Sequence, residues 1–202
     1  MEKKDLLKDV IKHIDIKSYN STELVDAMRN MSFTSRDTAR AADILMMMCK
    51  EKECTNILTL AGSTSAAGCM QVYVDMVRNK MIDVVVATGA SIIDMDLFEA
   101  LGFKHYIGEK ENVIADTTLR DLYIDRIYDT YIDEEELQAC DHTTFEIANM
   151  LEARPYSSRE FIYEIGKWLH DGHAVKKDSL IQTCYECGVP IFVPAFSDSS
   201  AG

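Results

Sequence analysis

The chain has 202 residues, of which 47% are hydrophobic and 27% charged, with only 3 prolines and 9 glycines. This composition excludes a disordered, collagen-like or membrane-spanning chain and predicts a globular protein. Asp and Glu (34) outnumber Lys and Arg (21), and the net charge of −13 disfavours nucleic acid as a partner while leaving a cationic partner open. The six cysteines are scattered and no secretion signal opens the sequence, so we expect a reduced, cytoplasmic protein.

Residues 1–50 are predicted to form an amino-terminal helical segment. Apolar residues recur at three- and four-residue spacing between residues 6 and 14 and again between residues 24 and 31. Thr34 and Asp37 predict a capping box for a third helix that includes the apolar stretch 44–48. We therefore place a boundary near residue 50, ahead of an α/β domain over residues 51–202.

The second part of the chain has the pattern of a parallel α/β sheet. Buried strands are predicted at residues 57–60, 82–86 and 189–193, because each is a short apolar run bounded by turn residues. Helices are predicted over 66–78, 92–101, 133–151, 157–168 and 177–187, the fourth with a capping box at its start, whereas residues 111–132 show no clear period. We expect a doubly wound, mostly parallel, Rossmann-like sheet with helices on both faces. Since the chain stops just beyond the third strand, we expect this sheet to be incomplete.

Turns rich in small residues follow the first two predicted strands, where an open α/β sheet places its ligand. Residues 61–68 and 87–91 would let backbone amides approach a phosphate or ribose at a helix N-terminus, although they lack the G-x-G-x-x-G fingerprint and tight packing is the alternative. Asp94 and Asp96 follow the second turn and Asp198 follows the third strand, which makes all three candidates for contact with a ribose or an amine. Complementing the helix dipole is the alternative for the first two, and a solvated loop for the third.

Other reactive side chains give weaker signals. Cys184 and Cys187 form a C-x-x-C pair, but it lies on a predicted helix without a second pair or nearby histidines to complete a zinc site. The five histidines share no ligand spacing, so we expect no metal. The sequence also contains no P-loop and no nucleophile elbow.

Taken in order, several segments resemble the deoxyhypusine synthase family. They are LAGSTSAAG (60–68), MIDVVVATGA (81–90), DMDL (94–97), IDRIYD (124–129) and VPIFVPAFSDS (189–199). Each segment is weakly specific, but their order over residues 35–202 is distinctive. The resemblance implies an NAD-dependent enzyme with a Rossmann-like sheet, usually a homotetramer whose sites lie between subunits. Members of this family oxidise spermidine with NAD, carry its aminobutyl group as an imine on an enzyme lysine, and deliver it to a lysine of translation initiation factor five A.

The resemblance also implies roles for residues of this chain. The positions that match NAD contacts in the family are Gly62, Ser63, Thr64, Ser65, Ala66, Thr88, Gly89 and Ala90. Asp198 matches a cofactor-contacting acid, and Asp94 matches an acid that contacts a ribose or an amine. Because the turn before Asp94 is one residue longer than in typical members, Asp96 is an alternative for the substrate contact.

The family's catalytic lysine and spermidine-binding histidine belong to a carboxyl half that this chain does not contain. We therefore expect an amino-terminal portion that works with a separate carboxyl portion in a homo- or hetero-tetramer. The second turn is most similar to the archaeal and bacterial branch, some of whose members act on small diamines, so a homospermidine-synthase-like enzyme is one alternative. A non-catalytic subunit that activates a full-length paralogue and an unrelated nucleotide-binding domain are the others.

Overall fold

The computed structural model describes residues 2–108 and 114–202. The helices are α1 Lys3–Leu6, α2 Thr22–Met28, α3 Phe33–Lys50, α4 Met70–Arg78, α5 Phe98–Ala100, α6 Asp116–Asp121, α7 Glu134–Met150, α8 Ser158–Trp168 and α9 Leu180–Cys187. The strands are β1 Ile57–Leu60, β2 Val84–Ala87, β3 His105–Ile107, β4 Ile124–Ile127, β5 Thr130–Asp133 and β6 Ile191–Phe192. Short helical turns lie at Ile16–Ser18, Ser65–Cys69, Ser91–Leu97, Leu169–His173 and Phe196–Asp198.

A parallel sheet of three strands, in the order β1-β2-β6, forms the centre of the fold. Leu60 lies beside Ala87 in one pair of strands, and Val85 lies beside Ile191 in the other. Val85 is fully buried on one face of β2 and Val84 and Val86 are partly buried on the other, so the strand is a continuous apolar run without alternation. The predicted α/β class is confirmed, and the parallel direction of all three strands places their carboxyl ends at one edge.

A second, antiparallel sheet in the order β3-β5-β4 was not predicted. It draws on the stretch 111–132 that shows no clear period, of which residues 111–113 lie outside the described residues. Tyr131 and Ile132 are adjacent in β5 and both are buried, so this strand has no exposed face to create alternation. The β4–β5 hairpin also turns within two residues, with Tyr128 at a φ of 54°, without the glycine that usually marks such a turn.

The amino-terminal segment is less helical than its apolar spacing predicts. The helix predicted over residues 6–14 is wrong, because α1 ends at Leu6 and Val10 forms an antiparallel bridge with Tyr106. Further along, the Ile14 amide donates to the Gly68 carbonyl at 2.9 Å. These backbone hydrogen bonds to distant residues replace the local bonds that a helix would have made.

One predicted helix start agrees with the structure and two do not. The capping box of α8 is confirmed, since the Glu160 amide donates to Ser157 Oγ at 3.3 Å and the Ser157 amide donates to Glu160 Oε2 at 2.8 Å. The box predicted at Thr34 is wrong, because α3 already begins at Phe33. The helix predicted from residue 177 begins only at Leu180.

Helix α9 is held at its first turn by the buried carboxylate of Asp96. The amide of Leu180 donates to Asp96 Oδ1 at 2.8 Å, and the amide of Ile181 donates to Oδ2 at 2.7 Å. Burial raises the pKa of Asp96 to about 6, although both amides act to lower it. Asp96 thereby ties α9 to the helical turn that follows β2.

Replacing Asp96 with alanine is expected to lower the free energy of unfolding by about 2–4 kcal/mol, because two buried amides lose their acceptors. Asp96→Asn retains one acceptor oxygen and should lose less. Urea unfolding followed by circular dichroism measures the free energy of unfolding of both variants. If the alanine variant is as stable as the wild type, the carboxylate is not what anchors α9.

A second buried carboxylate joins three distant parts of the chain. Glu99 accepts a hydrogen bond from Lys176 Nζ at 2.5 Å, and its oxygens lie 2.6 Å from His13 Nε2 and 2.9 Å from His105 Nδ1. Burial acts to raise the pKa of Glu99, but the hydrogen bonds from both histidines and the charge of Lys176 outweigh it and hold that pKa well below its usual range. His13 Nδ1 also accepts from the Met70 amide at 3.2 Å, so the network fastens the amino-terminal segment to the start of α4.

The Glu99 network is expected to make the free energy of unfolding fall as the pH is lowered. Since the pKa of Glu99 is lower in the folded chain than its ordinary value of 4.5, its stabilisation is complete above that pH and is lost as the pH falls. Glu99→Gln should cost about 1.5–3 kcal/mol near neutral pH, and its difference from the wild type should shrink in acid. Urea unfolding across this pH range tests the prediction. Glu23→Gln, at an exposed position of α2, is the control and should follow the wild type throughout.

Candidate functional site

Three loops meet at the edge where the parallel strands end. We call them the first turn (residues 61–68), the second turn (residues 88–91) and the third loop (residues 193–202). A Cβ on Gly89 would lie only 2.7 Å from the carbonyl oxygen of Phe196 and 3.1 Å from the amide of Ser199, so the second turn and the third loop are in close contact. The Thr88 amide donates to the Leu60 carbonyl at 3.1 Å, which brings the second turn against the end of β1.

The first turn presents an open glycine and an unpaired hydroxyl. Gly62 has a φ of +66°, and no atom lies within 4 Å of the place that a Cβ would take. Ser63 is half-buried and Thr64 is exposed, with the Thr64 hydroxyl accepting from Tyr73 Oη at 2.8 Å. Ser65 Oγ is buried and has no hydrogen-bond partner in the described part of the chain. The fifth predicted position, Ala66, is buried with it.

The second turn starts the helical stretch that carries both candidate acids. Thr88 Oγ1 accepts from the Ser91 amide at 3.3 Å and lies 2.9 Å from Ser91 Oγ, which satisfies a free amide at the start of the helical turn. Gly89 is buried and Ala90 is half-buried. The small side chains at these two positions are what allow the third loop to pack so closely.

Asp94 reaches from the second turn's helix to the third loop. Its Oδ1 accepts from the Ser200 amide at 3.1 Å and lies 2.9 Å from Ser200 Oγ. Burial raises the pKa of Asp94, the hydrogen bonds from Ser200 oppose that rise, and the charge of Asp141 adds to it. The residue is still half-buried, so one side of the carboxylate is accessible.

Asp141 is a neighbour of Asp94 that the sequence did not indicate. It lies on α7, and its Oδ1 is 2.5 Å from Ser200 Oγ. A single acid on an acidic helix belongs to no motif, and only the packing of α7 against the helical turn Ser91–Leu97 brings it to this edge.

The two other predicted acids lie in different surroundings. Asp198 is exposed on the helical turn Phe196–Asp198 of the third loop, close to the second turn. Asp96 is only 1% exposed and both of its oxygens accept from amides of α9. The structure therefore brings Asp94, Asp198 and the two turns to one edge, whereas the carboxylate of Asp96 is used inside the fold.

Metal-binding clusters, disulfides and membrane-spanning helices were also sought among the described residues. No group of three or more His, Cys, Asp or Glu side chains among them is arranged to hold a metal ion. Cys184 is buried and Cys187 is exposed, and neither forms a disulfide. Within residues 2–108 and 114–202, no helix has both the length and the apolar character needed to cross a membrane.

Comparisons with known proteins agree with the resemblance noted in the sequence. The family model described as "Deoxyhypusine synthase" matches residues 23–202. A "Deoxyhypusine synthase-like protein" of Caulobacter vibrioides is 67% identical over 201 residues, which cover 100% of this chain and 54% of the relative. A protein with the same description from Coxiella burnetii is 60% identical over 200 residues, covering 99% of this chain and 56% of the relative.

A solved structure supports the fold at much lower identity. The crystal structure of a "putative deoxyhypusine synthase" from Entamoeba histolytica aligns with a TM-score of 0.59 and 19% identity, over 94% of this chain and 63% of that one. The chain thus spans about half the length of the curated relatives it matches. On the family match and the identity to these relatives, the chain belongs to the deoxyhypusine synthase family.

Proposed function

We propose that this chain forms the NAD-binding wall of a deoxyhypusine synthase. The complete enzyme would take the aminobutyl group of spermidine and transfer it to a lysine of translation initiation factor five A. The observation that supports this proposal is the convergence of the first turn, the second turn and the third loop at one edge of the sheet, in a member of this family. A transferase is what membership of the family implies, and the substrates are our proposal.

The residues at this edge suit a dinucleotide. The space beside Gly62 is open, and Ser65 Oγ has no hydrogen-bond partner in the described part of the chain. The helical turn Ser91–Leu97 begins at this same edge of the sheet. Amides at a helix start favour a phosphate, and a buried hydroxyl without a partner is costly unless a ligand or water satisfies it. Residues 62–66 and 88–90 would hold NAD, with Asp198 accepting from one of its hydroxyls. When bound, NAD supplies an acceptor for the hydride that leaves spermidine.

Asp94 is the carboxylate that we assign to the substrate amine. It is half-buried at the edge of the site, where a carboxylate can pair with an ammonium group while part of it stays solvated. Asp96 is less suited to this role, because its oxygens are already occupied by the amides of Leu180 and Ile181. The net charge of −13 further favours a polycationic substrate through long-range attraction.

The reactive lysine is proposed to come from outside this chain. The resemblance assigns it to the carboxyl half of the family, and the matched residues cover only 54% of the Caulobacter relative. We propose that the two portions act together in a homo- or hetero-tetramer in the cytoplasm.

The cofactor role of Asp198 is open to a direct test. Asp198→Ala is expected to weaken NAD binding by about 1.5–3 kcal/mol, roughly 10- to 150-fold, because a hydrogen bond to a charged group is lost. Calorimetric titration with NAD, in the presence of the carboxyl half of the Caulobacter relative, measures the change. Asp171→Ala removes an acid at an exposed position remote from the three loops and should leave NAD affinity unaltered. Unchanged affinity in the Asp198 variant would reject this role.

A second acceptor is favoured by the second turn, where Thr88-Gly89-Ala90 resembles the archaeal and bacterial branch of the family, some of whose members act on small diamines. If the acceptor is a small diamine, the same imine chemistry would make a longer polyamine without any protein substrate. The carboxyl half would again be required.

The two acceptors are distinguished by incubating the assembled halves with NAD and labelled spermidine. Translation initiation factor five A is supplied in one reaction and putrescine in another. Label in the protein, found by mass spectrometry, is expected for the first function, whereas label in a new polyamine is expected for the second. The chain alone and the carboxyl half alone are the controls and should form neither product.

A further inference from the structure

Two carboxylates at the edge of the site are joined through one hydroxyl group. Ser200 Oγ lies 2.9 Å from Asp94 Oδ1 and 2.5 Å from Asp141 Oδ1. Asp94 comes from the helical turn after β2 and Asp141 comes from α7, so residues far apart in sequence meet at the third loop. The Ser200 amide adds a separate hydrogen bond to Asp94.

The number of hydrogens shared by Ser200 and the two carboxylates decides which hydrogen bonds can form. A serine hydroxyl carries one hydrogen, so it can donate to only one of two ionised carboxylates, and its oxygen would repel the other at hydrogen-bond distance. One additional proton resolves the conflict. Asp94 then donates its carboxyl hydrogen to Ser200 Oγ, and Ser200 Oγ donates its own hydrogen to Asp141. When that proton leaves to solvent, the single hydroxyl hydrogen can serve only one of the two carboxylates, and Asp94 keeps the bond from the Ser200 amide in either case.

We propose that Asp141 is a positioning residue that shares one proton with Asp94 through Ser200 and thereby sets the charge that the site presents to a cationic amine. This inference rests on the proposed function, which assigns the amine contact to Asp94. An ammonium group beside Asp94 supplies the positive charge that the shared proton otherwise supplies. Binding of the amine is therefore coupled to release of that proton.

Among the residues that the structure describes, Asp141 is the charged group that acts on Asp94. Cys140, also on α7, donates from Sγ to the Ile93 carbonyl at 3.6 Å, and burial together with both acids holds the pKa of its thiol above the ordinary value. The helical turn Ser65–Cys69 packs nearby and contributes the Cys69 thiol. On the α9 side, Cys184 lies beside Asp96, and on the third loop Asp198 is exposed.

The shared proton is tested first without any ligand. Carbon NMR of isotope-labelled aspartates follows the titration of Asp94 and Asp141 in the intact chain. The expected result is that Asp94 titrates above its ordinary pKa and that the Asp141 signal responds to the same step. A single-step titration of Asp94 at the ordinary value, with no response of the Asp141 signal, would overturn the proposal.

Asp141→Asn then removes one charge and keeps the shape of the side chain. The titration of Asp94 is expected to move down towards that of an ordinary carboxyl group, because the neighbouring negative charge is gone. Glu146→Gln, an exposed position on the same helix, is the matched control and should leave Asp94 unchanged. An unmoved Asp94 in the Asp141 variant contradicts the proposal.

Calorimetry with spermidine tests the functional part. The chain, paired with the carboxyl half of the Caulobacter relative, is titrated in two buffers that differ in ionisation enthalpy, near the pH at which Asp94 titrates. The wild type should release protons on binding spermidine, and Asp141→Asn should release fewer. Equal release from both proteins would reject the positioning role. A coupled titration without spermidine binding would instead reject the proposed substrate and leave the proton sharing intact.

Discussion

The parallel pairing of β1, β2 and β6 is the constraint on which the site depends. The carboxyl ends of neighbouring parallel strands lie at the same edge of a sheet, so the loops that follow these three strands lie there together. Gly89 allows the second turn and the third loop to approach within contact distance, because any larger side chain would collide with the Phe196 carbonyl. The candidate cofactor residues, which span more than a hundred positions in sequence, come together for this reason.

Buried polar groups hold the surrounding elements in position. Asp96 binds the first amides of α9, and Glu99 binds side chains from the amino-terminal segment, β3 and the segment before α9. A buried carboxylate loses hydration that only well-placed donors replace, so it tolerates fewer arrangements than an apolar contact. Both acids lie within a few residues of Asp94, and the stretch that contains this candidate ligand group is thus anchored to the amino-terminal segment, β3 and α9.

Burial and hydrogen bonding act together on the pKa values of the three acids after β2. Burial raises the pKa of Asp96 and of Asp94. The pKa of Glu99 is lowered, because hydrogen bonds to the histidines and the charge of Lys176 outweigh its burial. Asp94 differs from the other two in being only partly buried and in facing a second carboxylate through Ser200. A carboxylate that is accessible and incompletely neutralised is the one of the three available to a cationic ligand.

Local sequence patterns are enough to predict the parallel strands, the helix that opens at the Ser157 capping box, and the two turns rich in small residues, because each depends on neighbouring residues in the chain. The sequence also carries the ordered segments that indicate the family. Long-range contacts, by contrast, explain why residues 7–14 form no helix, why an antiparallel sheet lies within 105–133, why Asp96 faces α9, and why Asp141 meets Ser200. Each of these depends on contacts between residues far apart in sequence, where packing and hydrogen-bond satisfaction outweigh local spacing and leave no local pattern to read.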